Sequence, residues 1–336
     1  MQFSGDFKSG EMIFITVHSH ALAGNMLGDP AERKVGVYIP YDTDPEGLPL
    51  LVSLAGYTGS GLSQLNWKNF GENVPERLDR LIATGEMPPA VIAFPDCYTR
   101  LGGNQYINSV AMGNWEDFLI TDMLNAIEGR FGCGGVGKRG LFGKSSGGYG
   151  ALLHAMRHPD VWSAIACHSG DMGFEIAYQR DFPATLRALA KHDMSAENFV
   201  KSIWANHSPS HTDIHALMIL AMGASYDPDP SAFCGVRLPV DLHTCELDHA
   251  RWAHWQAWDP LHIFDSHAKA LHSLKGLWID CGDQDQFDFV YVARRLKQKL
   301  DGAQIAHHYE EFPDNHFGLD YRFDKSLPYL VRALQH

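Results

Sequence analysis

Arg139-Gly-Leu-Phe-Gly-Lys-Ser-Ser-Gly-Gly-Tyr-Gly-Ala151 sets the reading of everything around it. A short apolar strand runs into Gly143-Lys144-Ser145-Ser146-Gly147, and a helical pattern follows at once, up to His158 and Pro159. G-x-S-x-G between a strand and a helix is the context of a nucleophile elbow. The sharp turn forces Ser145 into a strained backbone conformation, and the flanking positions want glycine because side chains there would collide. Gly143 and Gly147 meet that need. The turn lifts the Ser145 hydroxyl above a helix N-terminus, whose free N–H groups favour a developing oxyanion.

Upstream of the elbow, Glu11–His18 alternates and reads as an antiparallel edge strand, and Lys34–Ile39 is a second strand stopped by Pro40. Leu50–Leu54 and Ala90–Phe94 are short and almost wholly apolar, as strands buried on both faces are. Helical spacing covers Val74–Thr84 and Trp115–Phe131, with a long polar loop over Pro95–Asn114 between. Downstream, Ala164–His168 is a strand. The βα rhythm then breaks from Met172 to Ser273, which reads as an insertion of helices and proline-rich loops over the sheet. It resumes with strand Leu277–Asp280, helix Phe287–Leu300, strand Ile305–Phe312 and helix Ser326–Leu334. This order predicts one α/β domain over 1–336: a mostly parallel sheet with helices on both faces and a lid-like insertion at 172–273.

The bulk composition narrows the function. The chain has 336 residues, 45% hydrophobic and 20% charged, with a net charge of -13, which repels phosphate backbones and anionic lipid heads. Nucleic acid and membrane surfaces are therefore not expected partners, and no apolar run has membrane-spanning length. The six cysteines are scattered without a C-x-x-C pair, and Met1–Gly10 lacks the basic-then-apolar order of a leader. Reduced thiols and a cytoplasmic location are the expectation.

A serine hydroxyl needs a histidine to take its proton and a carboxylate to hold that histidine. With Ser145 on the elbow, the acid and base should follow the last two strands. After Leu277–Asp280, the acids are Asp280, Asp283, Asp285 and Asp288; Asp280 lies in the strand and Asp288 in the expected helix. Asp285 is preferred and Asp283 is the runner-up. After Ile305–Phe312, the loop Pro313-Asp-Asn-His316 presents His316, while His307 and His308 fall within the expected strand. The oxyanion donors are expected to be the amides of Ser146 and of Tyr57, in the turn freed by Gly56. Gln105, Tyr106, Trp252 and Trp255 are candidate substrate-lining residues, and the tryptophans are more simply read as docking the insertion on the sheet. Lys144, the variable position of the elbow, is expected to be exposed.

These four segments resemble the esterase D-like family of the α/β-hydrolase superfamily. The likeness lies in Gly-Lys-Ser145-Ser-Gly-Gly-Tyr-Gly-Ala, Leu-Trp-Ile-Asp-Cys-Gly-Asp-Gln-Asp285-Gln-Phe, Tyr-Glu-Glu-Phe-Pro-Asp-Asn-His316 and Leu-Ala-Gly56-Tyr57-Thr. The resemblance implies an α/β-hydrolase fold and a serine carboxylesterase acting on a small-molecule ester through an acyl-enzyme. It assigns Ser145 as nucleophile, Asp285 as acid, His316 as base, and Tyr57 and Ser146 as oxyanion donors, with no cofactor. The same triad would serve an acyltransferase or a thioesterase, and a non-catalytic binding protein is the third reading. The oxyanion turn lacks the Ser-Gly-Leu-Thr-Cys run associated with S-formylglutathione hydrolases, which counts against the thioesterase.

Two other signals fall away. Gly132–Arg139 nearly spells a phosphate loop, but Arg139 stands where Ser or Thr should bind Mg²⁺ and a helix precedes it where a strand is needed. The 19 histidines include no H-E-x-x-H or paired Cys/His spacing, so no metal is expected.

Overall fold

A computed structural model describes residues 7–335; residues 1–6, read above for a leader, lie outside it. Eight strands form one sheet: β1 (Glu11–His18), β2 (Glu32–Ile39), β3 (Leu50–Leu54), β4 (Val91–Pro95), β5 (Arg139–Lys144), β6 (Ala164–His168), β7 (Gly276–Gly282) and β8 (His308–Phe312). Their order is β1-β2-β4-β3-β5-β6-β7-β8. The pairs β1/β2 and β2/β4 are antiparallel, and every later pair is parallel.

The period-two alternation of each strand builds two cores. Leu50, Val52 and Leu54 face one layer with Val91 and Ala93, whereas Leu51, Ile92 and Phe94 face the other. The second layer is closed by helices α1 (Val74–Ala83) and α10 (Phe323–Gln335). On α10, Phe323, Leu327, Leu330, Val331 and Leu334 recur at three- and four-residue steps and are all buried. Each such side chain contributes roughly 1.5–3 kcal/mol when removed from water. The first layer is covered by α2 (Leu124–Phe131), α3 (Ser146–Arg157) and α9 (Phe289–Gly302). The helix over Trp115–Phe131 passes through a π-helical stretch at Phe118–Met123.

Between β6 and β7 the chain forms α4 (Phe182–Leu189), α5 (Ala196–Ala205), α6 (His211–Tyr226), α7 (His249–Gln256) and α8 (Pro260–His272). The last of these packs on α3 and serves as the crossover into β7. Trp255, on α7, is fully buried against Tyr178, Phe182 and Tyr226, and Trp252 packs edge-on to Phe182. Trp258 lies beyond the end of that helix.

Among the boundaries that differ from the sequence reading, two have a clear local reason. Asp288 is not helical: it takes φ 62° and caps α9, which begins at Phe289. The Asp285 side chain accepts from the Phe287 amide and the Asp288 amide returns to the Asp285 carbonyl, so the turn uses those residues first. Likewise β8 starts at His308, and His307 lies before it. Gln304, at φ 55°, ends α9 with the Ile305 amide on the Leu300 carbonyl, and His307 Nδ1 is bound to Ile305 O.

Candidate active site

The parallel strands end in register, with Leu54 opposite Gly143, Lys144 opposite His168, His168 opposite Asp280, and Gly282 opposite Phe312. The loops that leave those ends therefore share one edge of the sheet, and they carry Tyr57, Ser145, Asp171, Asp285 and His316.

Ser145 adopts φ 57° and ψ -126°, a conformation costing about 1–3 kcal/mol that the surroundings must hold in place. The flanking glycines permit it. A Cβ on Gly143 would lie 2.5 Å from Leu54 O and 2.6 Å from Gly147, and one on Gly147 would lie 1.9 Å from Leu54 O. The collision that requires glycine is thus with the end of β3 as well as across the turn. The Ser145 amide donates to the His168 carbonyl at 3.0 Å, tying the elbow to β6.

The acid and histidine loops are stitched together. Asp283 N donates to Phe312 O at 2.9 Å, Gln284 N to Asp314 O at 3.0 Å, and His316 N to Gln286 Oε1 at 3.0 Å. His316 Nδ1 meets Asp285 Oδ2 at 2.6 Å, with both residues buried. That partner fixes the proton on Nδ1 and leaves Nε2 as the acceptor. The ring stands edge-on to Phe287 at 4.7 Å and Phe289 at 5.4 Å. Asp283, by contrast, is exposed.

Gly56 lies against the elbow, its missing Cβ 3.3 Å from Lys144 O and 3.5 Å from the Ser145 Cβ. Tyr57 follows, pinned by its hydroxyl on Leu101 O at 2.5 Å and crowded by Gly102 and Gly103. Neither the Tyr57 nor the Ser146 amide donates to a backbone carbonyl among the described residues. Lys144 is half-buried rather than exposed, and burial lowers its pKa despite the nearby charge of Asp320.

The Ser145 hydroxyl donates to Asp171 Oδ1 at 3.2 Å, not to His316. Asp171 is the site residue that the sequence reading missed. It follows β6 in Ser169-Gly170-Asp171, where a polar turn hides any other role, and only its place after the strand beside the elbow could have flagged it. Its Oδ2 accepts from Tyr178 OH at 2.8 Å and Ser146 Oγ at 2.9 Å. Gln105 Nε2 donates to Ser146 Oγ at 2.8 Å and Gln105 Oε1 accepts from Tyr226 OH at 3.0 Å. Burial raises the pKa of the Asp171 carboxyl, and Tyr178, Ser146, the charge of His316 and Ser145 offset that rise only in part. Gln105 thus sits directly behind the elbow. Tyr106 is fixed elsewhere, with its hydroxyl on Ala55 O at 2.6 Å.

A second histidine–aspartate pair lies below. His168 Nδ1 meets Asp280 Oδ1 at 2.6 Å, but its Nε2 is taken by Ser326 Oγ at 2.9 Å, so it has no nitrogen free for a nucleophile. Arg322 Nε and Trp278 Nε1 complete the shell around Asp280.

Residues 29–332 match the family model described as "Putative esterase". The chain belongs to that esterase family. It is accordingly an ester-hydrolysing enzyme, and its solved structural neighbours carry the α/β-hydrolase fold. A ferulic acid esterase shares 18% identity, with a TM-score of 0.61 over 98% of this chain and 100% of that one. The fluorophosphonate-binding serine hydrolase F of Staphylococcus aureus shares 14%, with a TM-score of 0.58 over 96% and 99%. An S-formylglutathione hydrolase of Agrobacterium tumefaciens shares 15%, with a TM-score of 0.58 over 97% and 96%. Among the described residues of the esterase, no helix is long and apolar enough to cross a membrane.

Proposed function

We propose that this esterase cleaves carboxylic esters of small molecules through an acyl-enzyme on Ser145, with His316 as general base and acid and Asp285 holding His316. The observation that carries the reading is the buried 2.6 Å contact of His316 Nδ1 with Asp285, in loops that end beside the strained Ser145. Rotation of the Ser145 hydroxyl from Asp171 toward His316 Nε2 starts the reaction. Oγ attacks the carbonyl carbon as its proton passes to Nε2, and the carbonyl electron pair moves to oxygen, where the Tyr57 and Ser146 amides receive it. His316 then protonates the departing alkoxide, and water repeats the sequence to release the acid.

Residues 172–273 are assigned to a lid within a single domain, because Phe174 and Tyr226 of this segment pack on Tyr149 of the nucleophile helix, with Tyr178 and Trp255 packed behind Tyr226. A cytoplasmic location is favoured by six free cysteines, five of them buried. The test is labelling with a fluorophosphonate probe and turnover of 4-nitrophenyl acetate. Wild type should label at Ser145 and turn over, and Ser145→Ala should do neither while keeping its circular dichroism. Undiminished turnover by Ser145→Ala would overturn the assignment.

A further inference from the structure

We infer that Asp171 is a specificity residue for the ester reaction: the site takes substrates that carry a hydroxyl or ammonium donor close to the scissile carbonyl. The inference rests on Ser145 as the nucleophile and goes beyond it, to the chemistry of what Ser145 attacks.

The argument is a count of donors. Asp171 is fully buried and holds four lone-pair directions in need of partners. Its Oδ2 is served by Tyr178 and Ser146, and both donors are committed. The Ser146 oxygen already accepts from Gln105 Nε2, so its own proton is directed to Asp171. The Tyr178 hydroxyl, 2.8 Å from Asp171 Oδ2 against 3.4 Å from Tyr226 OH, gives its proton to Asp171, and Tyr226 gives its own to Gln105 Oε1. The hydrogen-bond chain from Tyr226 through Gln105 to Ser146 and the Tyr178 hydroxyl thus both end on Asp171 Oδ2, each hydroxyl with one assigned acceptor.

Oδ1 differs. Among the described residues its donor is Ser145 Oγ, at 3.2 Å. That proton is the one the reaction removes. When the Ser145 hydroxyl turns to His316 and Oγ bonds the carbonyl carbon, Oδ1 of a buried carboxylate loses its partner and stays without it as negative charge develops nearby. A buried acceptor left unpaired is costly, and more so when charged. The oxyanion turn lies beyond β3 on the far side of β5, whereas Asp171 follows β6 on the near side. The carbonyl oxygen therefore points away from Asp171, and what approaches Oδ1 is a group flanking the ester carbon. A hydroxyl or ammonium there replaces the lost Ser145 proton. Because the replacement bond forms fully only once the Ser145 hydroxyl has turned from Asp171 to His316, on the way from bound substrate to transition state, it favours the transition state and acts on kcat. A carboxylate at the same place would meet Asp171 as a like charge.

The test compares isosteric pairs, each rate divided by that of hydroxide-catalysed hydrolysis of the same ester. The acyl arm sets 4-nitrophenyl lactate against 4-nitrophenyl isobutyrate; the alcohol arm sets 2-hydroxyethyl acetate against propyl acetate. In one arm the donor-bearing ester should win by about ten- to a hundredfold in kcat/KM, the range of a hydrogen bond to a charged group, mostly through kcat. The arm that shows it identifies the side of the ester that meets Asp171. Asp171→Asn should shrink the preference to a few-fold, a ratio that does not depend on how much of the variant folds. Ratios near unity in both wild-type arms, or an undiminished preference in Asp171→Asn, would overturn the proposal. Fluorophosphonate labelling of Ser145 in the same wild-type preparation separates the outcomes. Flat ratios with labelled Ser145 remove the role of Asp171 alone, and turnover without labelling removes the nucleophile and this proposal together.

Discussion

Asp285 Oδ2 and His316 Nδ1 lie 2.6 Å apart in the buried seam between two loops, while Asp283, two residues earlier, is exposed. An unpaired or neutral partner for His316 would let the ring adopt the wrong tautomer, with Nε2 protonated. Asp285→Asn should therefore lower kcat by about 10⁴-fold with the fold intact. Asp283→Asn should stay within a few-fold of wild type. Steady-state rates on 4-nitrophenyl acetate decide, and a large loss in Asp283→Asn with a small one in Asp285→Asn would reverse the assignment.

The elbow glycines should be intolerant of a single methyl group. Gly147→Ala would drive its Cβ to 1.9 Å from Leu54 O, a backbone atom at the end of a central strand that has little room to move. Overpacking of this kind costs roughly 1–3 kcal/mol or more. Thermal unfolding should show a Tm lower by several degrees. At Gly129, a Cβ would have no atom within 4 Å, and alanine there should leave the Tm within a degree or raise it.

How far these features were legible in the chain follows from which residues carry local signals. Leu50–Leu54 and Ala164–His168 announce buried strands because both faces are apolar, and Gly143 and Gly147 bracket Ser145 because the turn admits nothing larger. Those signals are local in sequence, so the order of elements could be read. Asp171 could not, because Tyr178, which donates to it, and Tyr226 and Gln105, which follow in the same network, come from separate loops and helices that meet only on folding. The exposure expected for Lys144 failed for a similar reason: the segment bearing Asp320 closes near it. Asp288 was read as helical because an amphipathic pattern does not show that an Asx turn at Asp285 delays the helix by two residues.

Acid should find a weak point at Glu116. Burial alone would raise this carboxyl, but hydrogen bonds from His158 and Arg157 outweigh it and hold the pKa down to about 2. A folded pKa below the unfolded value of about 4.3 means a stabilising contribution that is fully present above that value. It is lost as the pH falls from about 4 toward 2. Glu116→Gln should thus be less stable than wild type at pH 7, with the gap narrowing at pH 3. Urea midpoints at the two pH values measure it. A gap that stays constant would show that Glu116 is not held in its charged form.

The Gly56-Tyr57 turn, proposed to hold the oxyanion, is buttressed from behind, and its buttress can be altered without touching Ser145, Asp285 or His316. A Cβ on Gly103 would sit 2.2 Å from Tyr57 O and 2.4 Å from its Cα, so Gly103→Ala must push the Tyr57 backbone. The Tyr57 side chain resists being moved, since its hydroxyl is bound to Leu101 O in the same loop. The displacement therefore falls on the peptide whose amide is assigned to the oxyanion. Losing one such donor lowers kcat by about 10²–10³-fold. Gly103→Ala should lower kcat by a sizeable part of that factor and leave KM nearly unchanged, because the donor acts on charge that develops only in the transition state. Fluorophosphonate labelling of Ser145 should slow in parallel, since the same amides receive the phosphoryl oxygen. If KM rises while kcat holds, the loop at Gly103 shapes substrate binding instead and the second oxyanion donor must be sought outside Tyr57.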